Sequence, residues 1–409
     1  MRLVADLHLH SKYSRATSKD TDLEHLAAGA KLKGLTLLST GDFSHPKWFA
    51  ELKSKLRPGP EGLYNYSGMT WILGNEVCTI YKKDGRTRKV HHLLYAPDLE
   101  VAAQVSETLS SFGSLSSDGR PVLTGINSAE LVERVSSVSR SVVVFPAHSW
   151  TPWFGVFGSK SGFDSLEECY EDQTKRVFAI ETGLSSDPQT NWRLSALDKV
   201  ALISNSDAHS PTPWRLGREA NAFDLPRLTY SELFMAIREK DPKRFLYTVE
   251  VDPAYGKYHF SGHKKCGVSL PPEEASRLQN RCPNCGRAMT VGVLQRVEEL
   301  SDRPSGYVPP GAIPFRRLLP LYEVISYATG VRRLYARKAL EKQDALIRAF
   351  GSEFAVLLEA PREELVAAAG PAVANAIMKS RRGEVNVAPG YDGVYGVPSF
   401  GQGDLADVN

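Results

Sequence analysis

The stretch DLHLH, residues 6–10, puts Asp6, His8 and His10 at every second position directly after the apolar start MRLVA. In an extended strand alternate residues share a face, so His8 and His10 project together into one space. Two neighbouring imidazoles bind a metal when other donors converge on them, and otherwise they are a polar strand face at a chain terminus. The rest of the chain decides. Up to about Glu250, RLVADLH, LTLLST, WILGNEV, KVHHLLY, SVVVFPAH, VFAIET and VALISNSD read as strands. TDLEHLAAGAKLK, SAELVERVSSVS and TNWRLSALDK read as helices between them, with Thr21, Ser128 and Thr190 near their caps. This alternation favours an α/β architecture, a largely parallel sheet or barrel. His8 and His10 end the first strand, Asp42 and His45 follow the second, and Glu76 ends the third. His148 follows SVVVFP, Glu181 ends VFAIET, and Asp207 and His209 follow VALISNS. In such architectures the carboxyl ends of the strands form the ligand face, so separate strands deliver metal-type side chains to one mouth.

Composition sets the outer limits. A chain of 409 residues with 42% hydrophobic and 24% charged residues has material for two or three domains and a sizeable core. The net charge of +3 does not by itself imply nucleic acid, so any basic surface must come from local clusters. No apolar run approaches a membrane span and the start lacks a signal-peptide core, so the expectation is a cytoplasmic protein with no membrane partner. Of five cysteines, Cys266, Cys282 and Cys285 are grouped, which in a reducing compartment points to a metal.

GHKKCGVS and RCPNCGR give His263-x-x-Cys266 and Cys282-x-x-Cys285, the spacing of one structural zinc in a ribbon or knuckle. His259 competes for the fourth position. Four protein ligands leave no open site, so this ion folds its segment rather than catalysing. SDRPSGYVPPGAIP then reads as a connector, residues from about 315 read as helical, and the end reads as loosely ordered. The organisation expected is a barrel over 1–250, a zinc module over 251–300, a linker over 301–314, a helical region over 315–390 and a tail over 391–409. Positive charge clusters in the helical region at Arg316 and Arg317, at Arg332, Arg333, Arg337 and Lys338, and at Lys379, Arg381 and Arg382. Such clusters can meet nucleic-acid phosphates, or can simply be solvated.

DLHLHS, TGDFSH, GNEV, VHHLLY, FPAH and NSDAHS, in this order, resemble the polymerase and histidinol phosphatase (PHP) superfamily over roughly the first 250 residues. The resemblance implies a distorted (β/α)7 PHP barrel, here followed by the small zinc-binding module and a helical C-terminal domain. It implies two or three divalent metals, Zn, Mn or Mg, at the barrel mouth. The matched ligand positions are His8, His10, Asp42, Glu76, His91, His148, Asp207 and His209, with His45 and His92 as alternates to Asp42 and His91. Strand alternation sends only one of His91 and His92 to the mouth. Asp207 and His148 are the catalytic candidates. Many members carry TDH where this chain has TGDFSH, and Arg15 stands near where some carry a further ligand. Arg15 is either a catalytic phosphate holder or a surface cation. Glu181 matches no ligand position and reads as a supporting residue or a helix cap.

FAVLLEAPREELVAAAGPAVANAIMKSRR resembles a degenerate helix-hairpin-helix, a DNA-backbone element. With KYHFSGHKKCGVSL, LQRVEELSDRP and APGYDGVYG, the whole order resembles the lesion-directed DNA repair nucleases of the superfamily. That resemblance implies hydrolysis on the 5′ side of deaminated bases (hypoxanthine, uracil, xanthine) or abasic sites, with DNA as partner and repair or replication factors as further candidates. Trp150 and Trp153 in SWTPWFGVFGSKSG offer a wedge or stacking platform beside the mouth, or pack the loop onto the barrel. The competing readings are a small-molecule phosphatase of histidinol-phosphate type and a DNA-binding protein with an inactive barrel.

Overall fold

The computed structural model describes residues 1–331 and 336–400. Arg2–Asp6 is the organising strand, pairing parallel with Leu37–Ser39 and antiparallel with Ala220–Asp224. Leu37–Ser39 pairs parallel with Met69–Lys83, which pairs antiparallel with Arg86–Ala96, and that strand with Val143–Pro146. Ala179–Glu181 and Ala201–Ile203 form a separate parallel pair. The fold is therefore mixed α/β around a central sheet, not largely parallel as expected.

The reason lies in a two-residue link. Asp84 and Gly85, both with positive φ (52° and 73°), join Met69–Lys83 to Arg86–Ala96. Asp-Gly with both residues left-handed is the tight hairpin turn, and a hairpin forces antiparallel pairing. The hairpin also carries the strand on to Lys83, so Glu76 lies in mid-strand rather than at a strand end.

Helix caps fall one to three residues from the positions read in the sequence. Asp22 accepts from the His25 N–H at the start of Leu23–Lys33, Asn127 from Glu130 before Ser128–Val138, and Asp187 from Thr190 before Pro188–Asn191. Carboxylate and amide side chains reach the orphan N–H groups there as well as the hydroxyls favoured from sequence.

The zinc-type segment has its own small core of Val268, Ala275, Cys282 and Met289. Beyond it, Phe315–Arg317 is a strand of the central sheet, parallel to Phe245–Glu250, so the helical region begins after it rather than at 315. Leu321–Ala328, Arg337–Phe350, Arg362–Ala369 and Pro371–Arg381 are helices. They are tied to the central-sheet portion by a buried ion pair in which Lys33 Nζ lies 2.7 Å from Glu353 Oε1. Glu353 also accepts from the Leu321 N–H and from Gln343.

Of the stretch expected as a loose tail, residues 391–400 are held in the fold, and 401–409 lie outside the described residues. Asn386–Ala388 pairs with Val397–Ser399, and Asp392 accepts from the Lys264 N–H and the Thr290 hydroxyl. Glycines allow this close return: a Cβ at Gly390 would lie 2.3 Å from the Gly256 carbonyl oxygen. Among the described residues no helix is long and apolar enough to cross a membrane.

Candidate metal centre

After Arg2–Asp6 the chain stays extended, and Leu9 bridges Ala208 in parallel, which brings the N-terminal histidines beside Asp207 and His209. Leu7 and Leu9 are buried, and His8 and His10 turn into the mouth. His8 Nε2 and His10 Nε2 lie 3.5 and 3.2 Å from Asp207 Oδ1, and 3.7 and 3.2 Å from Glu76 Oε2. Glu76 Oε1 lies 2.7 Å from His91 Nδ1 and 3.1 Å from His148 Nε2. Three groups thus bring ligand atoms together: His8, His10 and Glu76; Glu76, His91 and His148; His10, Asp207 and His209. Glu76 and His10 are each shared by two of them.

The other ring nitrogens explain why the free ones face inward. His8 Nδ1 lies 3.0 Å from both Glu181 oxygens, and His10 Nδ1 3.0 Å from Asp42 Oδ1. A carboxylate on Nδ1 keeps the proton there and aims the Nε2 lone pair at the centre. His8 Nε2, His10 Nε2 and Asp207 Oδ1 are buried without a hydrogen-bond partner among the described residues. Buried polar atoms are normally satisfied, so three orphans converging on one point fit a divalent cation.

Charge argues the same way. Burial opposes ionisation of Glu76, but His91, Arg120 and His8 outweigh it and hold the carboxyl well below its usual range. Asp207 is likewise held low against burial by His209 and His8. Burial takes His91 down to about 4, leaving a neutral imidazole. On His8, burial is overcome by Glu181, Asp207 and Glu76, which raise it well above its usual value. This concentration of negative charge attracts cations. Asp42, His148 and Asp207 also have left-handed backbone (φ 49°, 29° and 47°), a strain typical of functional positions.

Several expected residues sit elsewhere. Asp42 does not join the converging atoms: its oxygens accept from His10, the Ser11 N–H and the Ser11 and Ser14 hydroxyls. His45, its alternate, caps Pro46–Lys55 and stacks on Tyr13 with centroids 4.5 Å apart. His92 points to the opposite face from His91, bonded to Thr79 and Tyr170 in the core. The Arg15 side chain is 85% exposed and lies 3.9 Å from Asp118. Asp6 holds Ser206 and Gly217.

Two residues gain importance. Glu181 joins His8, the His148 N–H and Asn205 around one carboxylate. Arg120, which the sequence reading passed over, donates to Glu76 Oε2 at 3.2 Å. It faces a cavity of about 670 Å³ with His91, His148, Asp207 and His209. A lone arginine in a Ser/Asp/Gly-rich loop carries no periodic signal. The one cue was its place between Gly119 and a strand.

His263, Cys266, Cys282 and Cys285 bring their ligand atoms within 4.8 Å of one another. Burial opposes ionisation of Cys282, but the Asn284 N–H and His263 overcome it and bring the thiol down to about 6. His259 is outside the group and stacks on Phe260.

The proposed DNA contacts divide. Trp150 is buried, donating Nε1–H to Asn191 at 2.8 Å and packing on Phe157, so it is no wedge. Trp153 is exposed at the cavity rim against Tyr258. Arg317 is occupied by Asp187 and Gln189, and Arg381 by the Val356 and Leu357 carbonyls, so both have structural partners. Arg316 lies over the Tyr247 ring, while Arg337 and Arg382 pair with Glu341 and Glu384 on the surface. Lys338 is exposed. Arg332 and Arg333 lie outside the described residues.

A cluster of shared carboxylates and imidazoles at the mouth of an α/β sheet is the equipment of a metal-dependent phosphoesterase, and that is the class the fold and site define. Known proteins narrow it. A family model described as the MJ0043 C-terminal domain matches residues 320–384. Uncharacterized protein MJ0043 of Methanocaldococcus jannaschii is 34% identical over 80% of this chain, which spans only 39% of that protein's length. Uncharacterized protein YqxK of Bacillus subtilis is 31% identical, covering 97% of this chain and 98% of its own. The crystal structure of the lesion-specific endonuclease Q from Pyrococcus furiosus matches with a TM-score of 0.88 and 33% identity, covering 100% of this chain and 98% of that one. A crystal structure of endonuclease Q in complex with a 27-mer duplex substrate, with an abasic lesion at the active site, matches with a TM-score of 0.89 and 33% identity over 100% of both chains. The chain belongs to the endonuclease Q family.

Proposed function

We propose that this protein is a metal-dependent DNA repair endonuclease that hydrolyses the phosphodiester on the 5′ side of deaminated bases (hypoxanthine, uracil, xanthine) or abasic sites. The observation that carries the reading is the full-length likeness to endonuclease Q bound to an abasic duplex, joined to the convergence of His8, His10, Glu76, His91, His148, Asp207 and His209. We read the sheet as a distorted (β/α)7 barrel over about 1–250. The module over 251–300, with one structural zinc on His263, Cys266, Cys282 and Cys285, and the helices after residue 320 would flank the duplex.

His8, His10, Glu76, His91, His148, Asp207 and His209 would hold divalent ions, which would supply water activation and charge stabilisation for an in-line displacement at phosphorus. The chain's own contribution is placement. Glu181 and Asp42 fix the rings of His8 and His10, and Glu76 gathers both halves of the donor set. Arg120 presents a planar cation on the cavity wall, suited to a phosphate oxygen. Extruding the damaged nucleotide costs a few kcal/mol, least where pairing is already weak, which favours lesions over intact pairs.

The test is nicking of end-labelled duplexes with and without one hypoxanthine, uracil or abasic site, in Mn²⁺ or Mg²⁺. A lesion-dependent nick is expected, and Asp207→Asn should abolish it while retaining most DNA affinity, which rests on phosphate contacts elsewhere. Intact DNA with phosphate release from small esters, or binding with no nick, would overturn the reading.

A further inference from the structure

The cavity beside the metal centre has two unlike walls. One is the imidazole and carboxylate cluster. The other is built from Arg215, Arg218, Lys257, Tyr258 and Tyr395. Lys257 and Tyr258 come from the start of the cysteine module, and Tyr395 from the returning C-terminal segment. That segment is held in place: the Gly393 N–H donates to the Lys257 carbonyl at 2.9 Å and the Gly396 N–H to the Tyr255 carbonyl at 3.0 Å. Lys257 Nζ lies 4.7 Å over the Tyr395 ring. Arg218 is fixed by donating Nε–H and Nη2–H to the Ser206 carbonyl at 3.2 and 3.1 Å, one residue before Asp207.

The charge on this wall is not consumed internally. Among the described residues neither Arg215 nor Lys257 makes an ion pair. Behind the wall, Glu323 is half-buried, accepts from the Tyr255 hydroxyl at 3.0 Å and is pushed up by burial. Against burial, Arg218, Lys257 and Arg215 bring the Tyr395 phenol below its usual value, a sign of local positive potential. A rigid wall with surplus cations and two aromatic rings is the equipment for holding a nucleic-acid backbone. It faces the hydrolytic cluster across a space of nucleotide-ligand size.

We propose that this wall binds the phosphodiester adjacent to the scissile one on the same strand, with Lys257 and Arg215 making the contact and Arg218 tying the wall to Asp207 through the Ser206 carbonyl. The inference rests on the nuclease reading above. A single flanking contact fixes the register of the strand, so the bond delivered to the centre is always the one at a set distance from the damaged nucleotide.

Binding of the full-length protein to abasic duplexes tests it, with one neutral methylphosphonate placed at each linkage in turn on either side of the lesion. Lys257 is exposed, so Lys257→Ala preserves the fold, and Arg215→Ala is the second variant. Each should bind about tenfold more weakly, the worth of one charge-assisted contact, and lower the salt slope by about 0.9. At one flanking linkage the methylphosphonate should weaken the parent protein by at least that factor and cost each variant clearly less than it costs the parent. Losses that add at every linkage, or unchanged affinity in both variants, would overturn the wall proposal while lesion nicking by the parent protein continued. A parent protein that neither binds nor nicks the lesion duplex would overturn the nuclease reading and this inference together.

Discussion

Glu181 shows how much of a metal site lies behind its ligands. It touches His8, the His148 N–H and Asn205, so it sets the tautomer of one ring and the position of another. Glu181→Gln should weaken Mn²⁺ or Zn²⁺ binding about 10- to 100-fold in a metal titration, with little change in the unfolding midpoint of the metal-free protein. The His91 and His92 pair was legible because a strand admits only one of two neighbours to a given face. Asp42 was found, but sequence order cannot say whether a carboxylate faces an ion or, as here, the back of an imidazole. Arg120 had no pattern to betray it.

At the scale of elements, the six motifs marked the mouth, but the Asp84-Gly85 turn inside KKDGRTR went unread. It supplied the antiparallel hairpin and moved Glu76 to mid-strand. The aromatic loop after His148 could be read either as a DNA wedge or as packing, because alternation gives no direction to a segment outside a strand, and Trp150 turned inward to Asn191. The cysteine module has a core of four small or medium side chains, too little apolar surface to hold itself together. Cys282→Ser should therefore remove one zinc per chain by elemental analysis and open residues in 260–292 to protease, while the main melting transition persists.

Across the whole molecule, a buried acidic pair makes stability depend on pH. Burial pushes Glu250 up to about 8, aided by Asp187, and Glu219 is raised by burial and by Glu250 beside it. Thr248, Ser204 and Thr182 hydroxyls oppose the shift on Glu250 without cancelling it. In the native state these groups hold protons that the unfolded chain releases above about 4.5. Their stabilisation is thus complete below that value and is lost as pH rises through about 8. Thermal melts should show the midpoint falling between pH 6 and pH 9, and Glu250→Gln should flatten the decline. A variant that melts with the parent's pH profile would exclude this pair as the cause.

Lys33 and Glu353 belong to opposite ends of the chain yet neutralise one another out of reach of water. Rear helices that kept the packing but lacked this carboxylate would strand an ammonium group in an oily seat, a penalty of several kcal/mol. The hydrolytic portion is therefore no portable cassette: evolution or engineering that swaps the rear helices must carry a replacement counter-charge along with them.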